Sequence, residues 1–471
     1  MKRMNIVPRD HTHLLKELSR EYAHYAPASA ALANRARKVL VDGGSHALRL
    51  AEPFPPRLVA AQGAWIRDED GHEILDFWQG HFANLLGHNP TCVTSELARA
   101  FQENYGLLTG FADRLQVEMA EILCRLTRAD QVRFTTSGAL ATMYAVLLAR
   151  AFTGRHRVVK VGGGWHGAQP WGLKGVGFST KEETGFQEVD TAGLPHTLTD
   201  EVIITRFNDP NMLHDHFRRF GDRTACFIVE PFIGAGGLIP ATSEYLQTAR
   251  ELTHRYGAEL IFDEVISGFR FHAGDAGSLF GIQPDLATFG KIVGGGMPVA
   301  AVAGRADILR LVGRESGFEV KFSGGTYSAH PASLLAAKTF MNHLETRASE
   351  IYPYLSELGQ TTRQTVETAF AEEGILARCS GCDSDVLPPS SISGLVFPYR
   401  DDLRLDSPDV VCNPALVDTV LGEEVLRRAL LLEDIHVFHG LGALTTAHTT
   451  EDIERLGNAC HKVAKRVKAS L

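Results

Sequence analysis

Between Asp130 and Gly304 short apolar runs alternate with helical stretches, and this rhythm constrains the fold more tightly than any other property of the chain. The runs are Gln131 to Thr135, Arg157 to Val161, Val202 to Arg206, Ala225 to Glu230, Glu259 to Phe262, Leu286 to Phe289 and Val299 to Gly304. Such alternation predicts a largely parallel sheet with helices on both faces, an α/β architecture. Ligands in these sheets bind outside the carboxyl ends of the strands, so chemistry is expected just after a run ends.

A chain of 471 residues is too long for one small core, and its length predicts two or three domains. We place an N-terminal helical segment and hairpin at 1–75, a large domain built on the sheet at 76–335, and a smaller C-terminal α/β domain at 336–471. Leu14, Leu15, Leu18 and Tyr22 fall at helical spacing and predict an N-terminal helix packed on the body or on a partner. The stretch from Asp383 to Pro414, rich in Pro, Ser and Asp, predicts a long loop.

Composition excludes several classes of function. Apolar residues make up 44% and charged residues 22%, enough to build cores and unlike a disordered chain. A net charge of -9 argues against nonspecific nucleic-acid binding. Met1-Lys2-Arg3-Met4-Asn5 is followed by mostly polar residues rather than the apolar core of a secretory signal. No segment approaches the roughly 18 apolar residues of a membrane span. Seven scattered cysteines, an odd number, fit a reducing cytoplasm better than a disulfide framework. Cys379-Ser380-Gly381-Cys382 lacks a second pair, so no metal site is expected there.

The most specific chemistry lies in Phe262-Asp263-Glu264-Val265-Ile266-Ser267-Gly268-Phe269-Arg270, followed by Thr288-Phe289-Gly290-Lys291. The buried run Leu260-Ile261-Phe262 puts Asp263 at a strand's carboxyl end. A carboxylate there keeps a pyridine nitrogen protonated and makes the ring an electron sink, while a nearby lysine holds the cofactor's aldehyde carbon covalently. The pair points to pyridoxal 5'-phosphate, with Asp263 and Lys291 as the catalytic residues. Lys291 precedes Gly294-Gly295-Gly296, a run that lets backbone approach a ligand closely.

These segments resemble the class III aminotransferases, in the branch that holds glutamate-1-semialdehyde aminomutase and amino acid transaminases of similar build. The resemblance covers most of the chain. It begins with the strand, Asp-Gly turn and strand of Trp65 to Phe77 and continues, in the family's order, through Arg133-Phe134-Thr135-Thr136-Ser137-Gly138, Gly163-Gly164-Trp165-His166-Gly167, Arg206-Phe207-Asn208-Asp209, Val229-Glu230-Pro231, Gly325-Thr326-Tyr327-Ser328 and Thr446-Ala447-His448-Thr449. The resemblance implies a fold type I enzyme that passes an amino group from an amino donor through the cofactor to an oxo acid or aldehyde.

The resemblance also assigns residues. Ser137, Gly138 and Ala139 open the phosphate-binding helix, whose free N–H groups and dipole suit an anion. Trp165 stacks on the pyridine ring, with His166 beside it and Val265 on the opposite face. Asn208 and Glu230 lie near the cofactor. Thr326 reaches the phosphate of a neighbouring subunit, which implies a homodimer. Arg49 and His81 are candidates for the substrate pocket, although the spacing around Arg49 does not match the family cleanly.

The sequence departs from the family in two places. Where the family has Ser-Gly-Thr-Glu-Ala, this chain has Ser137-Gly138-Ala139-Leu140-Ala141, losing a hydroxyl and a carboxylate. The segment His436-Val437-Phe438-His439-Gly440-Leu441-Gly442 lacks the glutamate of the mutase pattern. Transamination is therefore the leading expectation. The alternatives are an intramolecular 2,1-aminomutase and a non-catalytic protein of the same fold.

Overall fold

The structure is a computed structural model that describes residues 9–179, 183–382 and 384–470. Met1 to Asn5, read above for a signal, and Asp383, the start of the expected loop, lie outside the described residues. All seven apolar runs form strands of one sheet: β1 (Gln131–Thr135), β2 (Arg157–Val161), β3 (Val202–Thr205), β4 (Thr224–Val229), β5 (Glu259–Asp263), β6 (Leu286–Phe289) and β7 (Ala300–Gly304). Their order is β1-β7-β6-β5-β4-β2-β3. β7 is antiparallel to both neighbours, and every other pair is parallel.

Every residue of β4, β5, β6 and β7 is buried, which is why these strands read as unbroken apolar runs. Successive side chains enter opposite layers. Leu260 and Phe262 pack with Tyr245, Leu246 and Leu252 of the helix Ser243–Tyr256, whereas Ile261 packs with Ala141, Ala145 and Leu148 of the helix Gly138–Thr153.

The helix Thr12–Tyr25 buries Leu14, Leu18 and Tyr22, and leaves Leu15 partly exposed. Leu14 and Leu18 join a core with Leu358, Val366, Leu426 and Leu456, so the helix packs on the body of its own chain. Trp65–Asp68 and Glu73–Asp76 form the expected hairpin. Leu58–Gln62 extends it on one side and the C-terminal strand Ile435–His436 on the other.

The first 75 residues and the C-terminal part thus share one sheet and one core, although the sequence reading separated them. The helix Pro331–Thr346 runs across the boundary drawn at 335 and packs Leu334, Phe340 and Leu344 with Met119, Phe289 and Ile292 of the large domain. Past Asp383 the loop is interrupted by the short strands Ile392–Ser393 and Leu395–Val396 and the helical turn Pro408–Val411. No helix among the described residues is long and apolar enough to cross a membrane.

One interior residue shapes the loop that follows β2. Lys160 is fully buried in a strand of valines, and its Nζ donates to the carbonyls of Gly164 (3.0 Å), Gly172 (3.3 Å) and Lys174 (2.8 Å). Three acceptors match the three N–H bonds of an ammonium. The lysine therefore ties the segment 162–175 back over the end of the strand that launches it. Lys160→Met would take the shared donor away from the three carbonyls, at about 1–3 kcal/mol for each one left unsatisfied. We expect a lower thermal midpoint and faster limited proteolysis within 162–175. Proteolysis at the wild-type rate would show that the loop is held without the lysine.

Candidate active site

Asp263 ends β5, opposite Thr288 of β6 in the parallel register. Its Oδ1 accepts from Thr288 Oγ1 (2.9 Å) and Val265 N (3.2 Å), and its Oδ2 faces His166 Nδ1 at 2.7 Å. A carboxylate at that distance places the ring hydrogen on Nδ1. Burial pulls the basicity of His166 down, against the pull of Asp263, and its Nε2 is buried without a hydrogen-bond partner. His166 thus acts as a neutral donor behind the carboxylate. Thr142 and Gln169 hold it there by donating to its backbone carbonyl.

The same loop carries Trp165, whose backbone N–H donates to Glu230 Oε1 (3.1 Å) while Gly234 N donates to Oε2 (2.9 Å). Burial and the charge of Asp263 push the Glu230 carboxyl up to about 8. The indole remains 41% exposed at the site's edge. Val265 reaches back between two glycines. A Cβ on Gly138 would lie 2.9 Å from both of its methyl carbons, and one on Gly290 would lie 3.4 Å away. Only bare backbone allows this approach at Gly138.

Gly138 also opens the helix Gly138–Thr153, with Ser137 as its cap. Ser137 Oγ accepts from Leu140 N (3.3 Å) and Ser137 O from Ala141 N (3.0 Å). Of the four N–H groups without helical partners, from Ser137 to Leu140, only that of Leu140 is capped, and those of Ser137, Gly138 and Ala139 are left. Ala139 is confined by the Trp165 loop: a Cβ on Gly167, at φ 93°, would lie 2.4 Å from the Ala139 Cβ. The alanine that departs from the family pattern is thus fitted to a close approach of backbone.

Lys291 follows β6 in a left-handed conformation, φ 48°, at the start of a tight turn. It is partly buried and makes no hydrogen bond or ion pair. Burial lowers its basicity and Arg270 adds to this, while Asp263 and Glu230 oppose. Within the glycine run after it, Gly295 makes room for packing: a Cβ there would lie 2.8 Å from Phe340 Cβ and 2.9 Å from Ala336 O, both on the helix Pro331–Thr346.

His81 sits in a left-handed turn, Gln79 to Phe82, in which all four residues have positive φ. Such a conformation costs about 1–2 kcal/mol for each residue with a Cβ, so it needs support. Asp76 supplies it by accepting from Trp78 N and Gln79 N, both at 2.9 Å, and Arg270 donates to Phe82 O. Burial would raise the Asp76 carboxyl, but hydrogen bonds from His436 and His88 hold it well below the usual range. The turn stacks His81 on Trp78, centroids 4.5 Å apart, within electrostatic reach of Lys291. Burial, then Lys291, His439, His46 and Arg49, push His81 down to about 3. Arg49 closes the short turn Ala47–Arg49 through its backbone N–H, which donates to His46 O (2.9 Å), and its side chain forms no hydrogen bond or ion pair.

Two sequence candidates stand elsewhere. Both amide hydrogens of Asn208 go to the carbonyls of Pro240 (3.1 Å) and Asp406 (3.0 Å), and its oxygen accepts from Thr242 N (2.9 Å). Asn208 therefore braces loops and offers no free polar group to a cofactor. Thr326 is exposed on a surface cavity of about 1270 Å3 that it shares with Phe111, Arg133 and Arg310. Sequence reasoning passed over Thr288, Trp78, Arg270 and Lys160. Thr288 carried a signal, because its strand register against Asp263 follows from the ends of two neighbouring runs. Lys160 carried another, as a lysine inside a strand of valines.

The assembled groups suit pyridoxal 5'-phosphate. A carboxylate backed by a neutral histidine suits a ring nitrogen, a helix end with free N–H groups suits a phosphate, and an amine of lowered basicity suits an aldehyde.

Comparison with known proteins agrees. Residues 49–373 match the family model Aminotransferase class-III. The glutamate-1-semialdehyde 2,1-aminomutase of Halobacterium salinarum is 34% identical over 360 residues, which are 76% of this chain and 78% of that protein. The solved ω-transaminase from Sphaerobacter thermophilus aligns with a TM-score of 0.84 at 31% identity, covering 93% of this chain and 98% of that one. A transaminase solved with PLP bound aligns with a TM-score of 0.81 at 29% identity, covering 94% and 98%. The chain belongs to the class III aminotransferases, enzymes of fold type I that work with pyridoxal 5'-phosphate.

Proposed function

We propose that this enzyme is a transaminase, moving an amino group from an amino donor to an oxo acid or aldehyde. The observation that carries this reading is the make-up of the wall above Lys291. Where the mutase pattern has a glutamate, this chain places Phe438 and His439 against Trp78. The names of its relatives keep the aminomutase as the second reading.

Bound at this site, the cofactor supplies an electron-withdrawing ring that makes the amine-bearing carbon acidic. Asp263, held by His166 and Thr288, binds the pyridine nitrogen. Trp165 and Val265 cover the two ring faces, and Glu230 fixes the backbone of Trp165. Ser137, Gly138 and Ala139 offer the helix end to the phosphate. Lys291 would hold the cofactor through its amine and would act as the base that carries the proton leaving the substrate Cα. Arg49 and His81 contact substrate. Asn208 serves this site only through the loops it braces.

The active form in this reading is a homodimer in the cytoplasm. Thr326 lines an outer cavity together with Phe111, which is 66% exposed, a surface that a second copy would cover. The partner's Thr326 would then complete the phosphate site.

Reduction of the holoenzyme with borohydride, followed by peptide mapping, should place the cofactor on Lys291. Lys291→Ala should lose this label and roughly 10²- to 10⁴-fold in turnover. A label on another lysine would overturn the assignment. Reaction type is settled by a single half-reaction with a suitable amino donor. We expect one oxo product per site, with the cofactor left in its amino form. Conversion of one substrate to an amine on the same carbon skeleton, with no second substrate, would establish the aminomutase instead.

A further inference from the structure

Beside Lys291 stands a buried cation that no carboxylate neutralises. Arg270 belongs to the turn that follows β5, and Phe269 before it folds back in a left-handed conformation, φ 60°, with its N–H on Gly274 O (2.8 Å). The turn packs on Phe289, the last residue of β6 before Gly290 and Lys291. A Cβ on Gly268 would lie 2.9 Å from Phe289 Cδ1, and the Phe269 and Phe289 rings stand 6.1 Å apart. On its other side Arg270 Nη2 donates to Phe82 O, in the left-handed turn that carries His81. Arg270 is thus wedged between the two segments that bound Lys291.

The bond to Phe82 O is the one side-chain contact that satisfies this guanidinium. Nε and Nη1 are buried without a hydrogen-bond partner, and no carboxylate forms an ion pair with it among the described residues. Burial pulls the group down to about 10, with Tyr352 leaning the other way, so it keeps its charge at neutral pH. An arginine placed for stability gains from a paired acid, and burying one with two nitrogens unsatisfied costs stability. A paired acid would also cancel the field that the arginine sets up next to it. The charged groups facing Lys291 are Asp263 at the end of β5, Glu230 just past β4, and Arg270, while His81 on the neighbouring turn is held neutral. Burial and Arg270 disfavour a proton on Lys291, and the two carboxyl groups favour one. A desolvated lysine next to another cation is the arrangement that makes an amine a base near neutral pH.

We propose that Arg270 is a positioning residue that acts through Lys291: its uncompensated positive charge keeps a proton off the lysine nitrogen, which is then ready to take one from substrate. The bond to Phe82 O fixes where that charge stands. This rests on the assignment of Lys291 above and adds the group that sets its protonation.

The test titrates holoenzyme from mildly acid to alkaline pH and follows the visible absorbance of the bound cofactor, whose band position reports whether the Lys291 nitrogen carries a proton. Arg270→Gln removes the charge but can still donate to Phe82 O. Without a positive neighbour the nitrogen is protonated more easily, so the titration midpoint should rise by roughly one pH unit. Arg270→Lys keeps the charge and should stay close to the wild-type midpoint. If the glutamine variant does not hold the cofactor, Arg270→Met takes its place with the same expected rise. An arginine that only braces the turn would lower the thermal midpoint in the variants and leave the titration where it was. An unmoved or lower midpoint in the neutral variants, an equal rise in Arg270→Lys, or a wild-type band fixed in the protonated form would each overturn the proposal. Borohydride labelling of a different lysine would overturn the Lys291 assignment itself, whereas a label on Lys291 with an unmoved midpoint would overturn the role of Arg270 alone.

Discussion

The active site depends on the parallel pairing of β5 with β6. That register sets Asp263 beside Thr288 at the carboxyl end of the sheet, and it delivers Lys291 three residues further along the same strand exit. A parallel pair buried on both faces cannot slip by one residue without turning its interior side chains to the wrong layer. The spacing between carboxylate and amine is therefore fixed by the packing of Leu260, Ile261, Phe262 and Leu286 in two cores, far more firmly than a loop could fix it.

The second dependence is electrostatic. Asp263, Glu230, His166 and Lys160 are all buried, and each stands in or just past a strand of the sheet. Isolated, each would be costly; together they are supplied with donors and acceptors of the right sign. Lys160 takes three carbonyls, Glu230 takes two N–H groups, and His166 gives its one hydrogen to Asp263. The loop 162–175 is the shared element, because Lys160 ties it down while it presents Trp165 and His166. At the other wall, Asp76 and Arg270 sustain a left-handed turn that no local preference would favour, and it directs His81 toward Lys291. Strain of this kind persists only where surrounding contacts over-determine it.

Much of this was legible in the sequence. All seven strands follow from their apolar runs, and strand ends with the family motifs next to them pointed to Asp263, Lys291, Ser137 and Trp165 as candidates. What was hidden depends on contacts distant along the chain. The pairing of Ile435–His436 with Glu73–Asp76 joins the two ends of the chain, and nothing local to either segment encodes it. Asn208 matched a motif, but its side chain is spent on Pro240 and Asp406, and the latter lies far away in sequence. The glycines after Lys291 pointed to a ligand, whereas Gly295 makes room for Phe340.

The central claim is that Asp263, backed by His166, holds a protonated pyridine nitrogen within reach of Lys291. It is tested most directly by the ¹⁵N NMR shift of cofactor labelled at the ring nitrogen and bound to the enzyme. The account predicts the shift of a protonated nitrogen at neutral and mildly alkaline pH, and its loss in Asp263→Asn. An unprotonated nitrogen in the wild type, or a protonated one that survives removal of the carboxylate, would contradict it.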